Sequence, residues 1–158
     1  MNLPFRRIPP VIFALLRVVL GATLLWAGLA KIPESALFAQ TVRAYEVLPI
    51  PLINPFAIVV PWVEVAAGLC LVLGFWTRSS ALTSLLLFIA FGVALGINIV
   101  RGADLSCGCF ALDGTGGSLH AALVRDLLLM AGATVLVLVR HVPFSLDGFL
   151  ARRGVFRF

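Results

Sequence analysis

The sequence predicts an all-α polytopic membrane protein, an antiparallel four-transmembrane-helix bundle, and three observations carry that expectation. Hydrophobic residues make up 61% of the 158 positions and charged residues only 12%, against roughly 25% charged in a soluble domain. So few charges cannot cover a water-soluble surface, so lipid must face much of the chain. The apolar positions also gather into four runs, at about 11–30, 56–76, 81–100 and 119–139, each near the roughly 20 residues that span a bilayer core. Finally, most charged residues fall between or beyond these runs rather than within them, leaving residues 1–158 as a single membrane domain with a basic tail at 140–158.

The first run follows Arg6, Arg7 and Pro9-Pro10 and extends from Val11 to Ala30. It exceeds the roughly 7–15 residues of a signal-peptide core, so a retained helix is expected although Gly28-Leu29-Ala30 resembles a cleavage site. Arg17, Gly21, Leu24, Gly28 and Lys31 recur at spacings of four and three. They form one helix face suited to packing against a partner helix. Residues 31–55 read as a polar loop in which 34–47 has the composition of a short interfacial helix, and Pro49, Pro51 and Pro55 are expected to stop any helix before the next span.

The second run contains Pro61 and Glu64, and Thr77-Arg78-Ser79 is expected to make the tight turn into the third. The third carries Gly92 and Gly96, four apart on one face, a spacing that permits close helix approach. A polar loop at 101–118 contains Cys107-Gly108-Cys109, and the fourth run carries Arg125-Asp126 early. Trp26, Trp62 and Trp76 are expected near span ends, as interfacial tryptophans are.

Net charge is +5, yet no basic run interleaves with aromatics, and nucleic-acid binding is excluded as an expectation. An even number of spans puts both termini on one side with Arg78, Arg140 and the tail arginines. The positive-inside rule then makes that side cytoplasmic. The expected location is a bacterial inner membrane, with the cysteine loop on the periplasmic side, where disulfides persist.

Two thiols flanking one glycine can bridge only through a sharp backbone reversal that glycine permits. So small a ring departs from relaxed disulfide geometry, and strained, exposed disulfides are the exchanging ones. Cys107 and Cys109 are therefore the candidate redox pair. Metal binding and a structural pair remain alternatives. A soft-metal site would need Asp104, Asp113 or His120 as well as the thiolates, and with no second cysteine pair and no His-x-x-His it would need a partner protein. No resident metal is assigned. Cys70, in an apolar segment, reads as a small buried residue.

Glu64 lies about eight residues, or ~12 Å, inside the second run, and Arg125 about six residues, or ~9 Å, inside the fourth. An ionisable group at such depth costs about 2.5–3.5 kcal/mol or more unless paired. A Glu64–Arg125 pair is expected, with Lys31 and Asp126 nearby, either fixing helix register or relaying protons beneath the cysteine loop. Arg17 has no carboxylate in its half of the membrane and is expected to snorkel to headgroups or to line a packed cleft.

The segments Ala27-Gly28-Leu29-Ala30-Lys31, Arg43-Ala44-Tyr45-Glu46-Val47-Leu48-Pro49, Pro61-Trp62-Val63-Glu64, Gly68, Gly74, Cys107-Gly108-Cys109-Phe110 and Arg125-Asp126 stand in the order seen in the methylamine utilisation protein MauE family, which the chain resembles over about residues 10–140. Ala111 departs from the glycine common there. The resemblance implies a DoxX-like four-helix membrane protein in periplasmic disulfide handling. It also implies a thioredoxin-like periplasmic partner (MauD-like) and a link to maturation of methylamine dehydrogenase. A non-enzymatic assembly factor is the alternative that this resemblance leaves open. The aromatic residues leave room for a quinone, but no motif assigns one, and the cofactor is left unknown.

Overall fold

A computed structural model describes residues 10–102 and 119–139. The described residues are helical, without strands: α1 (Pro10–Lys31), α2 (Ser35–Ala44), α3 (Ile50–Leu73), α4 (Thr77–Val100) and α5 (Leu119–Leu138). All except α2 are long and apolar enough to cross a membrane. Leu15, Val19, Ile58, Leu86 and Leu128 project outward around the bundle, which is the pattern of helices solvated by hydrocarbon rather than water.

α1 and α3 form the tightest antiparallel pair, and small residues are the reason. A Cβ placed on Gly21 would lie 2.8 Å from the Gly68 carbonyl oxygen, and one on Gly68 would lie 2.7 Å from that of Gly21. One on Gly28 would meet the Pro61 oxygen at 2.7 Å. Backbone touches backbone along the whole crossing, so dispersion contacts are dense where no hydrophobic driving force operates. The stripe Arg17, Gly21, Leu24, Gly28, Lys31 is buried throughout, including Arg17 at 4% exposure. Arg17 lines packed protein and does not snorkel to headgroups.

The prolines do not stop the second long helix. α3 starts at Ile50, about six residues earlier than the apolar run suggests, with Pro49 at its N-cap, Pro51 in the first turn, and Pro55 and Pro61 inside it. In the first turn a missing N–H costs nothing, because that donor has no intrahelical partner. Further in, neighbouring helices hold the path where an isolated helix would break. α2 packs along this early part of α3, burying Phe38 and Val42 against Ile53 and Ala57.

The α3–α4 turn also falls earlier than expected. Gly74, at φ 72°, is the left-handed C-cap, Trp76 takes φ 46°, and Thr77-Arg78-Ser79 is the first turn of α4. Trp76 is thus at a helix end, but Trp62 lies in the middle of α3 because that helix starts so early. Of the two glycines on α4, Gly92 faces α5, whereas Gly96 has nothing within 4 Å of where a Cβ would be.

A shared core of Leu20, Leu24, Ala67, Leu71, Ala81, Phe88, Ala133 and Leu136 joins all four long helices. Toward the other end, Tyr45, Leu95 and Ala122 form a second cluster. Asn98 Nδ2 donates to the Tyr45 carbonyl at 3.3 Å, and Arg101 Nη1 donates to the same oxygen at 3.3 Å. The end of α2 is thereby tied to the end of α4, where the chain enters 103–118.

Gly68→Val should weaken the bundle by about 1–3 kcal/mol or more, because the clashing atoms are backbone and cannot move aside. Gly96→Ala should be neutral or stabilising by up to about 1 kcal/mol through helix propensity. Thermal unfolding of each variant in micelles, followed by circular dichroism, measures the contrast.

Candidate functional site

The buried polar centre lies where the core clusters meet, and Lys31 is its cation. Lys31 is the last residue of α1, where the unsatisfied carbonyls of the helix end favour positive charge. Its Nζ donates to Glu64 Oε1 at 2.7 Å and to Oε2 at 2.9 Å. Both side chains are only 2% exposed. The same ammonium lies 5.3 Å from the ring centroid of Phe38 and 5.0 Å from that of Phe91. Two ring faces and a carboxylate therefore replace the water that this cation has lost.

The expected Glu64–Arg125 pair is not what forms: Lys31 takes both Glu64 oxygens. The early start of α3 explains the difference. Glu64 is about fourteen residues from that start and about nine from the end, close to the middle of the helix. At that level the end of α1 delivers Lys31.

Arg125 and Asp126 are nonetheless close by. With Lys31 and Glu64 they line a cavity of about 30 Å³, together with Thr23, Phe88 and other side chains of α1, α4 and α5. Such a volume holds about one water molecule, and the site has the several polar partners a water needs. Asp126 is buried, and a Cβ on Gly92 would meet its Oδ2 at 2.8 Å. Gly92 thus serves the carboxylate as well as helix packing, and the four-residue glycine spacing alone could not have revealed that role. Ionised, the four groups balance as two cations and two anions. This arrangement can lock helix register, and it can carry a proton between carboxylates through water.

Cys107, Cys109, Asp104 and Asp113 lie outside the described residues, as does the basic tail. His120, the second residue of α5, is exposed. Cys70 is half-buried on α3, about five turns from the helix start, and it is a free cysteine.

Comparison with known proteins adds three findings. The family model of "Methylamine utilisation protein MauE" matches residues 9–139. The chain is similar to the methylamine utilization protein MauE of Methylorubrum extorquens, 34% identical over 102 residues, covering 64% of this chain and 55% of that protein. It is also similar to those of Paracoccus denitrificans, at 34% over 143 residues (88% of this chain, 76% of the relative), and Methylophilus methylotrophus, at 29% over 123 residues (77% and 64%). The chain thus spans little more than half the length of the first of these relatives. No solved structure matches it.

Lys31→Met strands the Glu64 carboxylate inside the bundle. It should destabilise the protein by about 3–5 kcal/mol, the cost of breaking a buried pair by removing one partner. Unfolding midpoints in micelles, compared with Leu29→Met at an exposed position of the same helix, report it.

Proposed function

This chain belongs to the methylamine utilisation protein MauE family, and we propose that it is a membrane component of thiol–disulfide exchange in methylamine utilisation. Cys107 and Cys109 are the working thiols. The observation that carries the reading is the placement of Cys-Gly-Cys in the segment joining α4 to α5. That segment leaves the bundle at the end where Tyr45 gathers Asn98 and Arg101. A thiolate of the partner attacks the Cys107–Cys109 disulfide and forms a mixed disulfide. The second partner thiolate then displaces the bound cysteine. Two electrons leave the partner, its own disulfide forms, and the loop pair becomes a dithiol. The partner is a thioredoxin-like periplasmic protein of the MauD kind, and the product of the pathway is a disulfide-bearing enzyme such as methylamine dehydrogenase. The loop faces the periplasm and the termini the cytoplasm, a placement supported by the arginines at the opposite span ends.

Lys31, Glu64, Arg125 and Asp126 support the exchange from below. Dithiol oxidation releases two protons, and a water-sized cavity lined by two carboxylates and two cations is a route for them.

Thiol trapping in intact cells should catch Cys107 and Cys109 in both reduced and oxidised forms, reachable by an impermeant reagent from outside. Labelling from the cytoplasm alone would overturn the topology and the exchange. Cys107→Ser with Cys109→Ser should abolish partner maturation, whereas retained maturation would mark a positioning scaffold. Glu64→Gln should alter the pH profile of exchange, and an unchanged profile removes the relay.

A further inference from the structure

A cleft of about 330 Å³ lies between α2, α3 and α4, walled by Phe38, Val42, Leu48, Phe56 and Phe91. It exists because α2 packs along the early turns of α3 and meets the α4 core only at Tyr45 and Leu95. The lining is almost wholly apolar, and the Thr41 hydroxyl within it is already donated to the Leu37 carbonyl at 3.1 Å. A buried water needs roughly two to four polar partners, which these walls do not supply. Left void, the walls would forfeit their dispersion contacts. Ala90 and Val93 line the α4 side and are exposed on a membrane-length helix, so bilayer hydrocarbon reaches the cleft.

We propose that this cleft is a phospholipid site, in which one acyl chain lies between α2 and α4 and the lipid phosphate sits on Arg101. Ala90, Ala94 and Arg101 follow one another at spacings of four and seven residues, and Arg101 keeps helical backbone as the C-cap of α4. The three therefore share one helix face, with the cleft below and the guanidinium above. Arg101 stands about 10 Å beyond Ala94 along the helix. The headgroup layer is about 5–8 Å deep on each side of the hydrocarbon core, so a phosphate at Arg101 sets the first part of its chain level with the cleft. Arg101 Nη1 is anchored on the carbonyl of Tyr45 at 3.3 Å, and Tyr45 itself lines the cleft. That bond uses one of the guanidinium's five N–H donors, and the planar fork matches the oxygens of a phosphate.

The bound chain fills the gap between α2 and α4 and packs on Phe38 and Phe91, two of the cleft walls. Those same rings lie 5.3 and 5.0 Å from the Lys31 ammonium. A lipid in the cleft thus holds the aromatic cover of the buried ion pair in place from the membrane side. No thiol takes part in the site.

The test is titration of the full chain in mild non-ionic micelles with dioleoylphosphatidylglycerol or dioleoylglycerol, read by native mass spectrometry. One phosphatidylglycerol per chain is expected, bound at least tenfold more tightly than the diglyceride, which has the same chains and no phosphate. Ala90→Trp and Val93→Trp, which fill the cleft from the lipid side, should each weaken binding at least tenfold in protein whose helical content and elution match the parent. Leu15→Trp, at an exposed position of α1, should leave it within about twofold. Arg101→Gln should bring the two lipids to within about twofold of each other. Binding that does not saturate at one lipid overturns the site, as does equal affinity of the parent for the two lipids or undiminished binding in either folded cleft variant. The two-lipid comparison needs the parent alone, so it decides even where a tryptophan variant fails to fold.

Discussion

Two hydrogen bonds from Lys31 to Glu64, in the middle of an apolar bundle, set the terms for everything around them. Each charge alone would cost about 2.5–3.5 kcal/mol or more in the membrane. The pair is tolerated because geometry, aromatic faces and a helix end all act on the same ammonium. α1 must end at Lys31 for the ammonium to meet both a helix C-terminus and Glu64. α3 must run past this point, and α2 must pack on its early turns so that Phe38 covers the cation. The short helix is therefore part of the polar centre and no mere connector.

Close approach of the backbones makes the pairing reachable. Gly21, Gly28 and Gly68 let α1 and α3 touch without intervening side chains, which brings the two ionisable groups to hydrogen-bonding distance. Gly92 does the corresponding service for Asp126 from α5. The result is a charge-balanced cavity on one side of Phe88 and Phe91, and an aromatic cleft on the other side of Phe91. In the proposed function the charged cavity handles protons.

Much of this was legible in the sequence, and the failures have physical causes. Spacing alone identified the buried stripe on α1, because Arg17, Gly21, Leu24, Gly28 and Lys31 share one helical face. The existence of α2 was legible from composition. The start of α3 was not, because proline rules describe isolated helices, and here Pro51 falls in the tolerated first turn while packing carries Pro55. That error propagated: counting depth from a start at about residue 56 instead of Ile50 put Glu64 too near the surface and opposite the wrong cation. The turn residues Gly74 and Trp76 were hidden because the apolar run continues through them. The aromatic cleft could not be read at all, since it exists only where α2, α3 and α4 come together.

The central claim is that Lys31 and Glu64 act as one unit. A double-mutant cycle with Lys31→Met and Glu64→Leu, scored by reversible unfolding in micelles, tests it most directly. Each single change strands a buried charge and the double change strands none. The account predicts that the double variant loses less stability than the two single losses together, with a coupling of at least about 1 kcal/mol. Additive losses would contradict it.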